Sequence, residues 1–297
     1  MLNVQSVQAL IRLIDDPDDH VYVHVRDQLK SYGPDAIPYL ENSWESSDFG
    51  LLFQNRIENL IHEIQFENTL ETLRNWITSE QKDLLQGAII VARYQYPGLE
   101  EDKIRFEVEQ IRKDIWLELN PNQTAFEKIK TFNKVFYGHH HFQGNSKSFH
   151  SPLNSYINTV METRKGNPLS LSLIYSIVAQ SLGLPVYGVN LPNHFILAYM
   201  DEHLINSMTG NKNPYGVLFY INAYSKGSLF NEKDIQQFLE QLKLPSARSY
   251  FEPCPNTMII KRMITNLISS FQQVGNADKV NELVALRALF EKDASDL

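Results

Sequence analysis

The sequence predicts an α+β fold, because a long region of helical apolar spacing is followed by short strand-like runs. Up to residue 182, apart from a predicted loop at 138–152, apolar residues recur every three or four positions, which is the period of a helix with one buried face. From residue 186, short runs rich in Val, Ile, Phe and Tyr lie between Pro, Asn and Gly, which favours antiparallel strands. Helical spacing returns after residue 232, so a small sheet is expected within a mainly helical chain.

The first helices are predicted from three apolar stripes separated by two turns. A D-P-D-D sequence at 16–19 and a Gly-Pro pair at 33–34 interrupt the spacing. The stripes are Leu10, Leu13 and Ile14, then Val21, Val25 and Leu29, then Ile37, Leu40 and Trp44. Such short helices resemble one HEAT-like unit, and a second helical segment is expected over 51–77. Because no strict period follows, a confident repeat array is not predicted.

The central helices follow the same period. Further helices are expected at 84–96, 102–119, 125–136, 155–164 and 168–182, and a loop rich in His, Ser, Asn and Gly at 138–152. The Asn-Pro-Asn sequence at 120–122 stops the second of these helices, so we place a domain boundary near residue 120.

The sheet and the tail complete the predicted elements. Strands are expected at 186–190, 194–200, 203–206 and 217–223, and a helix at 232–242. Residues 258–290 should form a helical hairpin that turns at Gly275. The predicted domains are therefore a helical N-terminal domain at 1–120, an α+β core at 121–250 and a helical tail at 251–297.

Composition excludes several classes of protein. The 297 residues carry a net charge of −8 and a sequence pI of about 5.6, so an acidic surface should repel the phosphate backbone of nucleic acids. Cys254 is the one cysteine, which argues against a disulfide-stabilised secreted protein. The N-terminus lacks a basic leader pattern and the apolar runs are too short to cross a bilayer. We expect a soluble cytoplasmic protein that binds neither nucleic acid nor membrane.

The segment 166–199 has the order of elements found in cysteine-dependent acyl-transfer sites. It reads GNPLSLSLIYSIVAQSLGLPVYGVNLPNHFILAY, an apolar helix followed by a strand and by a second strand that begins near His194. In papain-type and transglutaminase-type sites, a Cys at the start of such a helix is stabilised as a thiolate by the helix dipole. A His on a facing strand takes the proton, and an Asp or Asn orients that His.

Several stretches together resemble the transglutaminase-like core of a bacterial family known as regulators of sirC expression. The matching sequences are LLQGAIIVARYQYP at 84–97, residues 133–145 and 154–175, GVNLPNHF at 188–195 and YINAYSKGSL at 220–229. The series is long and specific, although no single part of it is. The resemblance implies a transglutaminase-like fold with a TPR-like helical tail, for which 258–290 is the candidate.

At two of the three catalytic positions that the resemblance implies, this chain carries a residue other than the catalytic one. His194 matches the catalytic His, whereas the family's Asp falls on Asn222 and the Cys of true transglutaminases falls on or near Pro168. Asn193 stands where the family usually has Gly. The family itself generally lacks the Cys. The resemblance therefore implies a relict triad without a nucleophile.

Each of these side chains also has an ordinary structural interpretation. His194 is either a retained base or a histidine held by a backbone carbonyl at the edge of the core. Ser170 and Ser172 are the hydroxyls nearest to the helix start, where hydrogen bonding of the helix N-terminus is the favoured interpretation. Asn222 could orient His194 or serve as a turn residue.

No metal or cofactor site is predicted. The run His139, His140 and His141 favours a solvated loop, because adjacent residues rarely converge on one ion and no Cys or acid cluster flanks them. His20 and His24 have helical spacing that suits a zinc pair, but a surface helix is favoured. Cys254, between two prolines, is interpreted as an incidental linker thiol. The sequence has no phosphate-binding glycine motif of the P-loop or dinucleotide type.

The sequence therefore favours a non-catalytic protein with a protein-interaction or regulatory role and an unidentified protein partner. Helical repeats offer extended surfaces for partners. Two alternatives stay open. The first is a hydrolase or acyl-transferase that uses Ser170 with His194. The second is a module that binds a peptide or small ligand in the relict cleft.

Overall fold

The computed structural model describes residues 3–45, 50–200 and 215–292. The chain forms two compact units, of which the first consists of the described parts of 1–75 with 93–97. The second consists of 76–92 with the described parts of 98–297. The division at residues 120 and 250 that the sequence suggests stays a prediction.

The described residues are mainly helical. The α-helices are α1 (Val4–Arg12), α2 (Asp19–Ser31), α3 (Ile37–Trp44), α4 (Leu51–Thr78), α5 (Leu84–Gln95), α6 (Glu101–Glu118), α7 (Ala125–Asn133), α8 (Ile157–Thr163), α9 (Pro168–Ser181), α10 (Glu232–Gln241), α11 (Asn256–Gln273) and α12 (Ala277–Lys292). The strands are β1 (Gln143–Gly144), β2 (Lys165–Gly166), β3 (Val186–Val189), β4 (Ile196–Met200), β5 (Val217–Asn222) and β6 (Ser228–Phe230). The predicted α+β class is confirmed. No helix among the described residues is both long and apolar enough to span a membrane.

The first unit packs α1, α2, α3 and the first half of α4 around one apolar core. Asp18 caps α2 by accepting a hydrogen bond from the His20 amide, which explains why the chain turns at the predicted D-P-D sequence. The buried core residues are Val7, Ile11, Ile14, Val25, Leu29, Ala36, Leu40, Phe53, Ile57, Leu60 and Ile64. Leu13 and Trp44, which the apolar spacing placed in the stripes, are instead exposed. Leu13 is the residue that caps the C-terminus of α1, and Trp44 is the last residue of α3.

A four-stranded antiparallel sheet in the order β3-β4-β5-β6 lies within the second unit. Ile196 pairs with Val189, and Leu197 pairs with Ile221, so β4 is a central strand that is paired with a neighbour on each side. Strand β6 was not predicted, because three residues are too few to show an alternating pattern. Strand β4 begins at Ile196, two residues later than expected, and the strand predicted at 203–206 lies outside the described residues.

Helix α9 lies in the interior of the second unit, since ten of its residues are buried. Its Tyr175 ring packs against Phe132, with ring centroids 4.1 Å apart, and its hydroxyl donates a hydrogen bond to Asn133. Burial on all sides explains why this helix shows a continuous apolar run in the sequence rather than a stripe.

The region predicted as a loop from residue 138 is more ordered than expected. Helix α7 continues into a π-helical turn over Lys134–His139, and His140 caps the C-terminus of this turn. Strand β1 then pairs in parallel with β2. The ring of Phe136 stacks on Phe142 at 4.3 Å between centroids, which holds the two ends of this segment together. The predicted solvated loop is therefore corrected for these residues.

The tail is a helical hairpin. Helices α11 and α12 pack along each other and turn at Gly275, whose φ of +74° suits a residue without a side chain. Met263, Leu267, Leu283 and Leu286 are buried, as their spacing predicted, and Leu289 is partly exposed. Whether this hairpin is TPR-like, and whether the first unit is HEAT-like, stay predictions.

Candidate functional site

A cavity of about 140 Å³ lies at the start of α9, within the second unit. Four segments form it: residues 149–150, the first residues of α9, the turn that precedes β4, and one face of α11. The lining residues are Phe149, His150, Asn167, Pro168, Leu169, Asn193, His194, Phe195, Arg262, Asn266, Ser269, Ser270 and Gln273. Pro168 and His194, the positions that the resemblance assigns to the nucleophile and the base, thus share one cavity.

The start of α9 is fixed by a reciprocal capping arrangement. Asn167 Oδ1 accepts a hydrogen bond from the Ser170 amide at 2.9 Å, and Ser170 Oγ accepts one from the Asn167 amide at 3.0 Å. Pro168 occupies the first helical turn, where its missing N–H costs nothing. The helix N-terminus therefore presents a proline ring, which has no nucleophilic atom, at the position that catalysis would require.

The Ser170 hydroxyl is engaged away from the cavity. Its side chain is buried, and Oγ donates a hydrogen bond of 2.6 Å to the Asn154 carbonyl. Ser170 does not line the cavity that His194 shares with Pro168. Ser172 is fully buried on the same helix, and its hydroxyl has no hydrogen-bond partner among the described residues. Both serines occupy structural positions within α9.

His194 lies on the turn before β4 and packs its ring against Phe238, with centroids 5.4 Å apart. Among the residues that the structure describes, no hydrogen bond orients the imidazole. Partial burial lowers the pKa of His194, and the positive charge of Arg262 lowers it further. The ring is therefore held in its neutral form near pH 7, without the partner that a catalytic base normally has.

Asn222 ends β5 and has a turn role. Its side-chain oxygen accepts a hydrogen bond of 3.1 Å from the Ser225 amide, which caps the short helical turn at Ala223–Ser225. Asn222 does not line the cavity with His194. The structure thus places Pro168 and His194 in one cavity, whereas the carboxamide of Asn222 caps a turn outside that cavity.

Arg262, on α11, is the residue of this cavity that sequence analysis missed. Its Nη1 donates a hydrogen bond of 2.8 Å to Asn190 Oδ1, and burial lowers the pKa of its guanidinium. No carboxylate among the described residues forms an ion pair with it. A half-buried cation whose hydrogen-bond acceptor is a neutral amide favours the binding of an anionic group.

Cys254 lies near this cavity without lining it. Its backbone amide donates to the Gly188 carbonyl at 2.8 Å, which attaches the linker to the sheet. Burial raises the pKa of the thiol to about 11, even though the Asn190 backbone and the charge of Arg262 act in the opposite direction. The thiol is therefore protonated at neutral pH and is a poor nucleophile.

Replacing Arg262 with Met should raise the pKa of His194, because the substitution removes a positive charge while it keeps the length of the side chain. The folded pKa lies below the value of about 6.5 that unfolded histidine has. The contribution of His194 to stability is accordingly complete above pH ~6.5 and is lost as the pH falls through the folded pKa. An NMR titration of the imidazole measures the shift. Arg287→Met is the control, and an unchanged pKa in Arg262→Met would contradict the assigned electrostatics.

The Cys254 thiol should react with iodoacetamide at pH 8 at least about 10-fold more slowly in the native protein than in the urea-unfolded protein. The slower reaction is expected because a thiol with a pKa of about 11 is almost entirely protonated at pH 8, and only the thiolate reacts. Mass spectrometry measures the alkylated fraction of the protein against time in each state. Because Cys254 is the one cysteine, each time course gives the rate of this thiol alone. Equal rates in the two states would contradict the raised pKa of the native thiol.

The fold and the cavity define a protein of the transglutaminase-like class. The model of the transglutaminase-like superfamily matches residues 102–265, which is more than half of the chain, and the chain belongs to this superfamily. The match includes the start of α9, the sheet and the first half of α11. It thus covers Pro168, His194, Asn222 and Arg262.

Three relatives of known sequence match between half and about two thirds of the chain. A UPF0162 protein of Xylella fastidiosa strain 9a5c is 27% identical over 213 residues, which cover 68% of this chain and 70% of that protein. A UPF0162 protein of Vibrio cholerae is 23% identical over 63% of this chain and 66% of the relative. The mouse protein F-box only protein 21 is 29% identical over 147 residues, half of this chain but 22% of that protein. No solved structure matches the chain.

Proposed function

We propose that this protein is a non-catalytic member of the transglutaminase-like superfamily with a protein-interaction or regulatory role. One observation carries the proposal. The cavity joins the start of α9 to His194, but among the described residues no hydroxyl or thiol is hydrogen-bonded to that imidazole. Ser269 and Ser270 also line the cavity, and neither bonds to His194. Covalent catalysis requires a nucleophile within hydrogen-bond reach of its base.

The cavity suits one side chain of a bound partner. Its volume of about 140 Å³ is below the range of roughly 300–1,000 Å³ that small-molecule sites usually have. Arg262 supplies a cation without a carboxylate partner among the described residues, and Asn193, Asn266 and Gln273 add amide groups. These groups favour a carboxylate, so the proposed ligand is an acidic side chain or the C-terminus of a partner protein.

The helical parts of the chain would supply the rest of the partner surface. In this proposal, residues 1–120 form a HEAT-like helical domain, 121–250 the core and 251–297 a TPR-like tail. Stacked helices of this kind offer extended surfaces. A role like that of the regulators of sirC expression, in the cytoplasm, is part of the same proposal, and the partner is unidentified.

The alternative function is hydrolysis or acyl transfer by Ser170 with His194. The shared cavity of Pro168 and His194 favours it, because it preserves the place where such chemistry occurs. The Ser170 hydroxyl opposes it, since this group is buried and donates to a backbone carbonyl.

The binding proposal is tested with a set of 12-residue peptides that are rich in Asp and Glu, each paired with its Asn and Gln counterpart. Fluorescence anisotropy with the full-length protein should find acidic peptides that bind, whereas their amide counterparts should not. Arg262→Gln should weaken this binding by about 10-fold or more, because it removes the charge-assisted hydrogen bond. The matched control Arg287→Gln should leave the affinity unchanged. Equal binding to wild type and Arg262→Gln would refute the assigned role of this cavity.

A further inference from the structure

Two adjacent histidines and a distant aspartate converge at the end of α6. His140 Nε2 lies 3.0 Å from Asp114 Oδ2, and His139 Nε2 lies 3.9 Å from the same oxygen. One ligand atom from each of the three residues lies within 4.8 Å of the other two. Asp114 comes from α6, whereas both histidines come from the end of the π-helical turn, so two separate elements build the cluster.

His140 and Asp114 form the closer of the two His–Asp pairs in this cluster. His140 Nε2 is inaccessible to solvent, and Asp114 Oδ2 lies 3.0 Å from it, which is ion-pairing distance. The His140 side chain as a whole is 13% exposed. In the tautomer that leaves Nε2 unprotonated, this nitrogen and the carboxylate oxygen are both metal-ligand atoms, and the second histidine nitrogen lies within 4.8 Å of each. A cation placed between them would satisfy both.

The distances suit a divalent transition metal. A tetrahedral zinc centre with bonds of roughly 2.0–2.1 Å separates its ligand atoms by about 3.3 Å. The separations of 3.0 and 3.9 Å from Asp114 Oδ2 lie on either side of this value, and all three ligand atoms lie within 4.8 Å of one another, so side-chain rotations would bring them to bonding distance of one ion. Two imidazole nitrogens and one carboxylate oxygen are a donor set that suits Zn²⁺ and its neighbours in the first transition row.

The π-helical turn explains how consecutive histidines reach one ion. The His140 amide donates to the Val135 carbonyl, five residues earlier, which widens the turn and changes the direction of the next side chains. The turn is held from both sides, because Phe136 stacks on Phe142 and the Tyr137 hydroxyl donates to the Ala223 carbonyl at 2.8 Å. A ligand set on such a supported turn is largely preorganised.

Solvent reaches the cluster through an open surface groove. Asp114 and His139 line the groove, together with Glu118 and Lys134, which pair with each other at 3.0 Å. A metal ion held by three protein ligands would therefore keep a coordination position for water or for a further ligand.

We propose that Asp114, His139 and His140 form a binding site for a divalent first-row transition-metal ion, of which Zn²⁺ is the probe. The site would join the end of α6 to the turn that leads into β1. It shares no lining residue with the cavity at His194, so it goes beyond the proposed function and does not depend on it.

Isothermal titration of the full chain with ZnCl₂, after removal of metals with a chelator, tests the site. One equivalent of Zn²⁺ should bind to the wild type. Asp114→Asn, His139→Ala and His140→Ala should each weaken the affinity at least about 10-fold, since each removes one direct ligand. His141→Ala is the control for general histidine binding, because His141 is exposed and lies outside the cluster.

Spectroscopy gives a second readout that does not rely on affinity. Co²⁺ should give the visible absorption of a low-symmetry site in the wild type and in His141→Ala, but not in Asp114→Asn. Asp114→Asn keeps the volume of the side chain, and its circular dichroism should remain that of the wild type. Absence of Zn²⁺ binding at millimolar concentration, or equal affinity in wild type and all three ligand variants, would overturn the proposal.

Discussion

Replacing Gly227 with Ala should lower the free energy of unfolding by about 2–4 kcal/mol. Gly227 has a φ of +69°, a conformation that costs a residue with a side chain roughly 1–2 kcal/mol. A Cβ at this position would also collide with the side chain of Asn133. Asn133 cannot move freely, because it donates to the Gly227 carbonyl and accepts from the Tyr175 hydroxyl.

Two control substitutions separate backbone strain from the collision. Gly275→Ala has a similar φ of +74° but open space around its Cβ, so it should show the strain alone. Gly98→Ala has neither feature and should be close to neutral. Chemical denaturation of the three variants measures the difference. An equal loss in Gly227→Ala and Gly275→Ala would show that Asn133 is not fixed.

Replacing Ser170 with Ala should lower the free energy of unfolding by about 1–3 kcal/mol, because buried hydrogen-bond partners lose their bonds. The Asn154 carbonyl would lose its donor and the Asn167 amide its acceptor. The change should also weaken the reciprocal cap that begins α9.

Ser172→Ala is the matched control for this prediction. It lies two residues further along the same helix and is fully buried, but its hydroxyl has no partner among the described residues. Removing an unsatisfied buried hydroxyl should be neutral or slightly stabilising. If thermal denaturation shows equal losses in the two variants, Ser170 has no special role in the cap.

Sequence patterns predicted the elements in which one period dominates over many residues. The buried helix α9, the hairpin that turns at Gly275 and the strands on either side of β4 all follow from apolar spacing and from flanking Gly and Pro. Pattern analysis missed β6, which has three residues, and the π-helical turn, whose hydrogen bonds leave no clear period in six residues. It also placed Leu13 and Trp44 on apolar stripes, although the ends of their helices extend beyond the core.

Sequence analysis could predict the site residues that are close in sequence or that a family resemblance identifies. It could not predict residues that only the fold brings together. Pro168 and His194 belong to one segment whose order of elements brings them into one cavity. Arg262 comes from a helix almost 70 residues later, and a single Arg on an amphipathic helix normally indicates a solvated face. Asp114 was missed for the same reason: the acid that accompanies His139 and His140 lies on a different helix.

The lack of acyl-transfer chemistry is the central claim, and a direct activity measurement tests it. Purified wild type, Cys254→Ala, Ser170→Ala and His194→Ala would be assayed with acyl-donor amides, peptides and esters, beside an active transglutaminase as a positive control. Equal, background-level rates are predicted for all four proteins, since Pro168 supplies no nucleophile, Ser170 is engaged in a cap and the pKa of Cys254 is raised to about 11. Turnover in the wild type that disappears in Cys254→Ala would contradict the claim by showing that this thiol reaches His194. Turnover that disappears in Ser170→Ala and His194→Ala but persists in Cys254→Ala would contradict it in favour of a serine enzyme.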